Sequence, residues 1–589
     1  MINYLNNLDI FFESSKDKKK QISITQFAFL ISSIFELGGI FLLGPLIFIA
    51  TSGQDSLTNE YVSMTYAFLG LKDFESFFLI VVVLTATVIL IGGLISSFSV
   101  ILLSRMATQS GVILGNKLFR HYIFQQWPFY LETPKNKMIN EIYQETSRVT
   151  QNFLVPLLMI NKSLMTAIFI VVGLLFVDVI MTISFFLFLS IIYLLMYLIF
   201  RQKLYQNSEL LTEAHEERLD YLNDVFVSMK QIKIWGNEKY FLSGFNIASQ
   251  KWGSIYRQNL NIALLPRYLV ETCILIGAVV SIYFSFSSGI NVSETIPKLS
   301  IFLFSAFKLL PALQALYYSS SQIRGNIYSL ENILNILNLS SSKKTKPQLK
   351  DISFDEVKEI RFEDINFSYK GADTPAINNI SISLEKGSII GITGHSGAGK
   401  STFLDILMGL QEQTSGSIYI NKNLGSIYHN NDWFAKISYA PPSTSLFKAN
   451  LEQNITFNAK NSSINEAFKV VNLDFLNLES DLSKQFTKDD FSEGQLQRIG
   501  LARAIAKLDS DLIILDEPTS ALDNINKKLF IEKLRAYKAH KLIILVTHDL
   551  DLLKDVDKIA IFTEGKIEEY PDFETASLES DEFARLEDA

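Results

Sequence analysis

The sequence predicts a six-span α-helical transmembrane domain followed by an α/β domain built around a phosphate loop. Three observations predict it. Six apolar stretches lie near 24–50, 76–104, 152–176, 179–200, 263–286 and 298–320. Each reaches the roughly 20 residues that a helix needs to cross a bilayer. Near residue 340 the apolar blocks give way to an ordinary soluble mixture of residues. Beyond that break, Gly394-His-Ser-Gly-Ala-Gly-Lys400-Ser401 follows a strand-like run and opens an apolar helical one, the context a phosphate loop requires. Residues 1–339 are therefore assigned to the membrane domain and 355–589 to the second. The polar stretch 340–354, with its Ser340-Ser-Ser-Lys-Lys-Thr-Lys-Pro347 run, is the linker.

Composition supports this division. Of 589 residues, 48% are hydrophobic and 45 are Phe, while only 19% are charged. The formal net charge is −8 and the mean hydropathy is +0.21. A disordered chain would be poorer in apolar residues, and a nucleic-acid binder richer in Lys and Arg. The single cysteine, Cys273, excludes a disulfide framework and a Cys-based zinc site. Its apolar surroundings predict an inert buried thiol.

Basic residues set the expected orientation. Lys16, Lys18, Lys19 and Lys20 precede the first span, which places the N-terminus in the cytosol. The loops 105–151 and 201–262 carry many more Lys and Arg residues, whereas the opposite loops offer Lys72 and Lys298. Six spans return the chain to the cytosol, so the second domain and the C-terminus belong there too. The two long basic loops read as helical continuations of the spans. In the outer loop 51–75, the segment Asn59–Gly70 has the composition of a short helix lying on the membrane surface.

In the second domain, the glycines of 394–399 let backbone N–H groups turn toward phosphates, and the helix that follows adds positive potential. Lys400 is placed to reach the β- and γ-phosphates of ATP, and the Ser401 hydroxyl to ligate Mg²⁺. Leu512-Ile-Ile-Leu-Asp516-Glu517 is an apolar strand ending in two carboxylates. Asp516 is suited to hold Mg²⁺ through water, and Glu517 to polarise the attacking water as general base.

Between these motifs stands Phe491-Ser-Glu-Gly-Gln495, which resembles the signature sequence of ABC transporters. Ser520-Ala-Leu-Asp523 resembles their D-loop, Ile543–His548 the strand with the switch histidine, and Phe367-Ser-Tyr369 the aromatic A-loop. With six spans ahead of one ATPase domain, the whole chain resembles an exporter-type half-transporter. The resemblance implies an ATP site formed by Tyr369, Gly394, His395, Ser396, Gly397, Ala398, Gly399, Lys400, Ser401 and Thr402. Ser492, Gly494, Gln495 and Asp523 complete it from a partner chain, with catalysis by Glu517 and His548. The required partner is a second half-transporter, a homodimer being expected over a heterodimer. Lys230–Glu238 resembles the second intracellular loop, which docks on the partner's ATPase. Two departures stand out: Glu493 replaces a signature glycine, and Pro442 occupies the position of the Q-loop glutamine. The stretch 485–490 is also shorter than in typical exporters. These changes bear on the hydrolysis rate and the coupling of the domains.

Cargo is read from charges inside spans, which are costly and often functional. They are Glu36 in the first span, Arg267 and Glu271 four apart in the fifth, and Lys308 in the sixth. Intramembrane pairing is one reading and an anion-binding cavity the other. The surrounding segments resemble bacterial lipid-linked oligosaccharide flippases, although the second span brings no cation. The resemblance implies an inner-membrane flippase with an amphipathic, lipid-linked substrate in contact with membrane lipid. A peptide or drug exporter and a non-transporting regulatory ATPase are the alternatives.

Overall fold

Helices far longer than a bilayer is thick dominate the N-terminal half of the computed structural model. The structure describes residues 16–70, 73–287, 292–342, 356–459, 461–477, 480–520, 522 and 524–588. The long rods are α1 (Lys16–Ser52), α3 (Phe74–Ile123), α5 (Lys135–Leu175), α6 (Val179–Val227), α8 (Glu238–Ser287) and α9 (Val292–Gly325). Shorter helices are α2 (Glu60–Leu69), α4 (Trp127–Glu132), α7 (Met229–Trp235) and α10 (Ile327–Ser342). Among the described residues, six helices are long and apolar enough to cross a membrane. At 1.5 Å per residue, the 50-residue α3 is about 75 Å long, more than twice the thickness of the hydrocarbon core. The expected spans therefore occupy only part of each rod. The basic loops are helical extensions, as their pattern suggests.

The chain divides into two units. One comprises residues 1–125 and 133–345, and the other 126–132 and 346–589. The sequence starts the linker at residue 340, but α10 carries on to Ser342. The rest of 340–354 lies outside the described residues.

In the first unit, α1 packs along α3, α9 on α5, and α8 on α6. Small residues let α1 approach both α3 and α5 closely. A Cβ on Gly92 would lie 3.3 Å from the Phe35 Cβ, and one on Gly173 would lie 2.5 Å from Leu37 Cδ1. In α5 the rod relaxes into π-helical turns at Glu141–Glu145 and Thr150–Leu154. Such turns reposition side chains along a helix. Here they accompany a buried polar network. Tyr122 donates to Glu141, and Asn332 donates to the same carboxylate at 3.2 Å. Arg148 donates to Glu145 at 2.8 Å, to Thr212 at 2.9 Å and to Asn326 at 3.3 Å. Buried charges are tolerable when paired and hydrogen-bonded; Arg148 and Glu145 pair in this way, although the second Glu145 carboxylate oxygen is buried without a hydrogen-bond partner.

Asn59–Gly70 forms the expected short helix. The Asn59 side chain caps its start by accepting from the Tyr61 N–H at 3.1 Å, and Gly70 ends it with φ 62°. Tyr61, Met64 and Phe68 share an exposed face. One expectation fails: Cys273 is exposed, not buried. Its apolar neighbours mark a membrane helix, where apolar residues face outward as readily as inward.

The second unit has two sheets. The larger runs β10-β9-β3-β8-β7-β6, comprising β3 (Ile389–Gly394), β6 (Ile437–Ala440), β7 (Leu512–Asp516), β8 (Leu542–Val546), β9 (Lys558–Thr563) and β10 (Lys566–Tyr570). β6, β7, β8, β3 and β9 are parallel neighbours, and β10 is antiparallel at the edge. Both faces are covered, so β3 and β8 are buried along their whole length and, Thr393 apart, apolar. The smaller antiparallel sheet is β2-β1-β4-β5, from Ile377–Glu385, Glu359–Phe367, Ser415–Ile420 and Asn423–Leu424. In this topology the C-terminal ends of β3, β7 and β8 open on one edge, where α/β sheets place their sites.

Candidate nucleotide site and membrane cavity

The loop after β3 is shaped by backbone conformations that only glycine adopts freely. Gly394 has φ 139°, and a Cβ there would meet the Phe562 carbonyl oxygen at 2.2 Å. Gly399 has φ 106°, with the Ala376 oxygen 2.6 Å from its would-be Cβ. Ala398 is buried and its carbonyl accepts from Gly565 N–H at 3.0 Å, while Ser396 and Gly397 are exposed. Lys400 and exposed Ser401 begin α11 (Lys400–Leu407). The Lys400 ammonium donates to the carbonyls of Gly394, at 2.5 Å, and His395, at 2.8 Å. Burial pushes its pKa down, against the pull of Glu517 and Asp516. Tyr369 and Thr402 share a hydroxyl hydrogen bond of 3.0 Å, which ties the aromatic ring to the helix after the loop. His395 Nε2 lies 2.7 Å from the buried Glu582 carboxylate, a contact with the C-terminal helix that the sequence did not suggest.

Asp516 ends β7 and accepts from the Tyr439 hydroxyl at 3.3 Å. The next residue, Glu517, has φ 52°, an uncommon conformation for glutamate. Its N–H is fixed on the Val546 carbonyl at 2.8 Å. The Glu517 carboxylate stands 3.7 Å from His548 Nε2. Burial raises the pKa of both carboxyls, and the charge of Asp516 raises that of Glu517 further. Burial and the nearby Lys400 lower that of His548. The arrangement combines a glycine cradle, a cation, two carboxylates and a neutral-leaning imidazole.

Ser492 and Gln495 form a reciprocal capping box at the start of α15 (Glu493–Ala506). The Ser492 hydroxyl accepts from the Gln495 N–H at 3.3 Å, and the Gln495 side chain accepts from the Ser492 N–H at 2.8 Å. Glu493 is exposed in the first turn, where an acid suits the helix dipole; Gly494 follows it, half-buried. Gln497 donates to the Glu517 carbonyl at 2.7 Å and to Ser520 Oγ at 2.9 Å, joining this helix to the carboxylate strand. Pro442 is exposed just beyond β6. Asp523 lies outside the described residues.

The four membrane candidates separate into two groups. Arg267 and Glu271 pair on one turn of α8 at 2.7 Å, both partly exposed. Glu36 and Lys308 line a cavity of about 640 Å³ between α1, α3 and α9, walled by Phe35, Ile89, Phe304 and Phe307. Ser32 donates to Glu36 at 3.4 Å. A fifth charge, Lys162, escaped the sequence reading. It lies in α5 with its ammonium on Ser96 Oγ at 3.0 Å and the Ser96 carbonyl at 3.3 Å. The available signal was a lysine well inside the third apolar stretch.

Known proteins match both halves. The family described as "ABC transporter transmembrane region" matches residues 22–310, and that described as "ABC transporter" matches 377–520. A probable ABC transporter ATP-binding/permease protein of Haemophilus influenzae is 29% identical over 60% of this chain and 65% of its own. The ATP-dependent lipid A-core flippase 2 of Colwellia psychrerythraea is 27% identical over 49% of this chain and 50% of its own. The microcin-J25 export ATP-binding/permease protein of Escherichia coli is 31% identical over 42% of this chain and 43% of its own. The chain thus spans less than two thirds of each of these three relatives. A bacterial Atm1-family ABC exporter structure with ATP bound superposes with a TM-score of 0.77 over 97% of this chain and 98% of its own. At 16% identity that likeness concerns the fold. A matched membrane region and a matched ATPase on one polypeptide establish that this chain belongs to the exporter-type ABC transporters, with a six-helix membrane domain fused to an ABC ATPase.

Proposed function

We propose that the chain is the half-transporter of an ATP-driven flippase for a lipid-linked oligosaccharide or a related glycolipid, acting in the bacterial inner membrane with its ATPase in the cytosol. The observation that carries the cargo reading is the cavity that sets Glu36 and Lys308 among aromatic and aliphatic walls. A lipid-linked glycan has both chemistries, a phosphate for the cation and a tail for the walls. The exposed face of Tyr61, Met64 and Phe68 on α2 is a second apolar surface suited to a lipid tail.

In the ATPase, the N–H groups of 394–402 and Lys400 are assigned to the phosphates, and Tyr369 to the adenine. Ser401 and Asp516 are the residues that would hold Mg²⁺, which neutralises phosphate charge when bound. Glu517, its proton affinity raised by burial and Asp516, takes a proton from water. His548, its charged form disfavoured by burial, contacts the γ-phosphate. Ser492, Gly494 and Gln495 serve the site of the partner chain, so that hydrolysis needs a dimer, a homodimer in this reading.

The test is flipping of a radiolabelled lipid-linked oligosaccharide by the purified protein in vesicles. Wild type is expected to flip it and Lys308→Gln to lose flipping, with the same gel-filtration profile. A wild type that flips no such lipid but exports a peptide would replace this reading with peptide export, the activity named for the Escherichia coli relative.

A further inference from the structure

The phosphate loop is held in place by a side chain that its motif does not specify. A loop of this type fixes its glycines, its lysine and its serine, and position 395 is free. Here it is His395, whose ring reaches out of the loop to the helix α19 (Asp581–Asp588). Its Nε2 lies 2.7 Å from Glu582 Oε1. The Glu582 side chain is only 9% exposed, and Oε1 forms no other hydrogen bond. Arg585 stands 3.7 Å from Glu582 Oε2, but its own side chain is 74% exposed, and a pair of that kind is worth little. A buried carboxylate without a partner is costly, so His395 is the group that makes this burial tolerable.

The helix is itself anchored. The buried Phe583 ring packs with Leu553, Ile559, Ile561 and Ala576, and the Phe583 N–H donates to Ser580 Oγ at 3.2 Å. α19 touches β3, the strand that runs into the loop, and β9 beside it. The contact therefore ties the loop to a fixed element. His395 in turn stands at a junction. Its carbonyl accepts from the Lys400 ammonium at 2.8 Å and from the Ala398 N–H at 3.2 Å. Burial, Lys400 and His395 all disfavour the charged form of His548. One residue thus has its ring on α19, its carbonyl on the phosphate-binding lysine, and its charge within reach of His548. Releasing the ring would free the peptide that carries Lys400, since the next residues, Ser396 and Gly397, are exposed and offer no packing to hold it.

We propose that Glu582 is a positioning residue for ATP hydrolysis: through His395 it holds the first peptide of the phosphate loop, and with it Lys400, in the arrangement that receives the phosphates. Glu582 acts through His395 and not on the nucleotide itself. Its effect is on how tightly ATP is held, before any bond is broken, so it belongs to KM rather than to kcat.

The experiment uses the full-length protein reconstituted in vesicles, with ATPase rates measured across ATP concentrations and ATP binding followed by calorimetry. Four variants are compared with wild type: Glu582→Gln, His395→Gln, the two together, and Asp581→Asn, which alters the exposed acid next in sequence. Glu582→Gln is expected to raise KM and the ATP dissociation constant about five- to tenfold, the scale of one charge-assisted hydrogen bond, with kcat within about twofold of wild type. Because Glu582 acts through His395, the double variant should be no worse than His395→Gln alone. Asp581→Asn should change neither constant. A role confined to stability would lower the active fraction, and so kcat, with KM unchanged. That result, the same rise in KM for Asp581→Asn, or losses that multiply in the double variant would each overturn the proposal. If Glu582→Gln does not fold, Glu582→Met, which buries no unpaired amide, takes its place with the same expected rise in KM.

Discussion

By the resemblance of its loop to the Q-loop, Pro442 puts a ring where an amide side chain is expected, and the neighbouring geometry shows what remains. Tyr439, three residues earlier, puts its hydroxyl on Asp516 at 3.3 Å. Proline supplies no side-chain ligand. In the proposed site Mg²⁺, held by Ser401 and Asp516, would then have one protein ligand fewer, and Pro442→Gln is expected to lower the Mg²⁺ concentration that half-saturates ATPase activity. An unchanged Mg²⁺ dependence would show that the amide is not missed. Asp405, in the helix after the phosphate loop, allows a pH prediction. Burial lifts its pKa from 3.8 to about 6, against a hydrogen bond from Trp127. The folded state then binds the proton more tightly than the unfolded one, so stability falls as pH rises from about 4 to 6 and stays reduced above. Partial exposure reduces the effect to about 1–2 kcal/mol. Asp405→Asn should raise the melting temperature at pH 7.5 more than at pH 5, and an equal shift at both would refute the assignment. The phosphate-loop, strand-end and signature residues were legible because their chemistry demands short fixed spacings. The φ of 52° at Glu517 and the contact between His395 and Glu582 were not, since both depend on partners 29 residues or more away along the chain.

Elements were legible where hydrophobicity has a length scale. A bilayer requires long apolar runs, so six helices could be counted, and the basic loops between them read as their extensions. Depth and facing were less visible. Cys273 was misjudged because an apolar run does not distinguish a lipid-facing residue from a core one. Lys162 was overlooked inside the third apolar stretch, where it stands between Asn161 and Ser163. The C-terminal helix α19 (Asp581–Asp588) also gave little signal, being only 8 residues long. Yet Phe583 is fully buried, its ring edge-on to Phe573 at 5.2 Å, and Glu582 reaches His395 beside the phosphate loop. Phe583→Ala should cost about 3–5 kcal/mol, as for other buried aromatic truncations. The check is thermal unfolding of the full-length protein, where a shift under about 1 °C would mean that the helix is not anchored by this ring.

For the whole molecule, the family relation joins on one polypeptide a membrane domain with a charged cavity and an ABC ATPase domain. The proposed link between them is that turnover drives a lipid across the bilayer. Glu517→Gln is the most direct probe, because it replaces the proposed base while leaving Lys400 and the glycine cradle in place. Loss of a general base lowers turnover by about 10²-fold or more. The decisive measurement follows ATP hydrolysis and flipping of a radiolabelled lipid-linked oligosaccharide in the same vesicles, for wild type and Glu517→Gln. The account predicts that wild type does both and that Glu517→Gln loses both together while still binding ATP. Near-normal hydrolysis in Glu517→Gln, or wild-type hydrolysis with no ATP-dependent movement of the lipid, would contradict it.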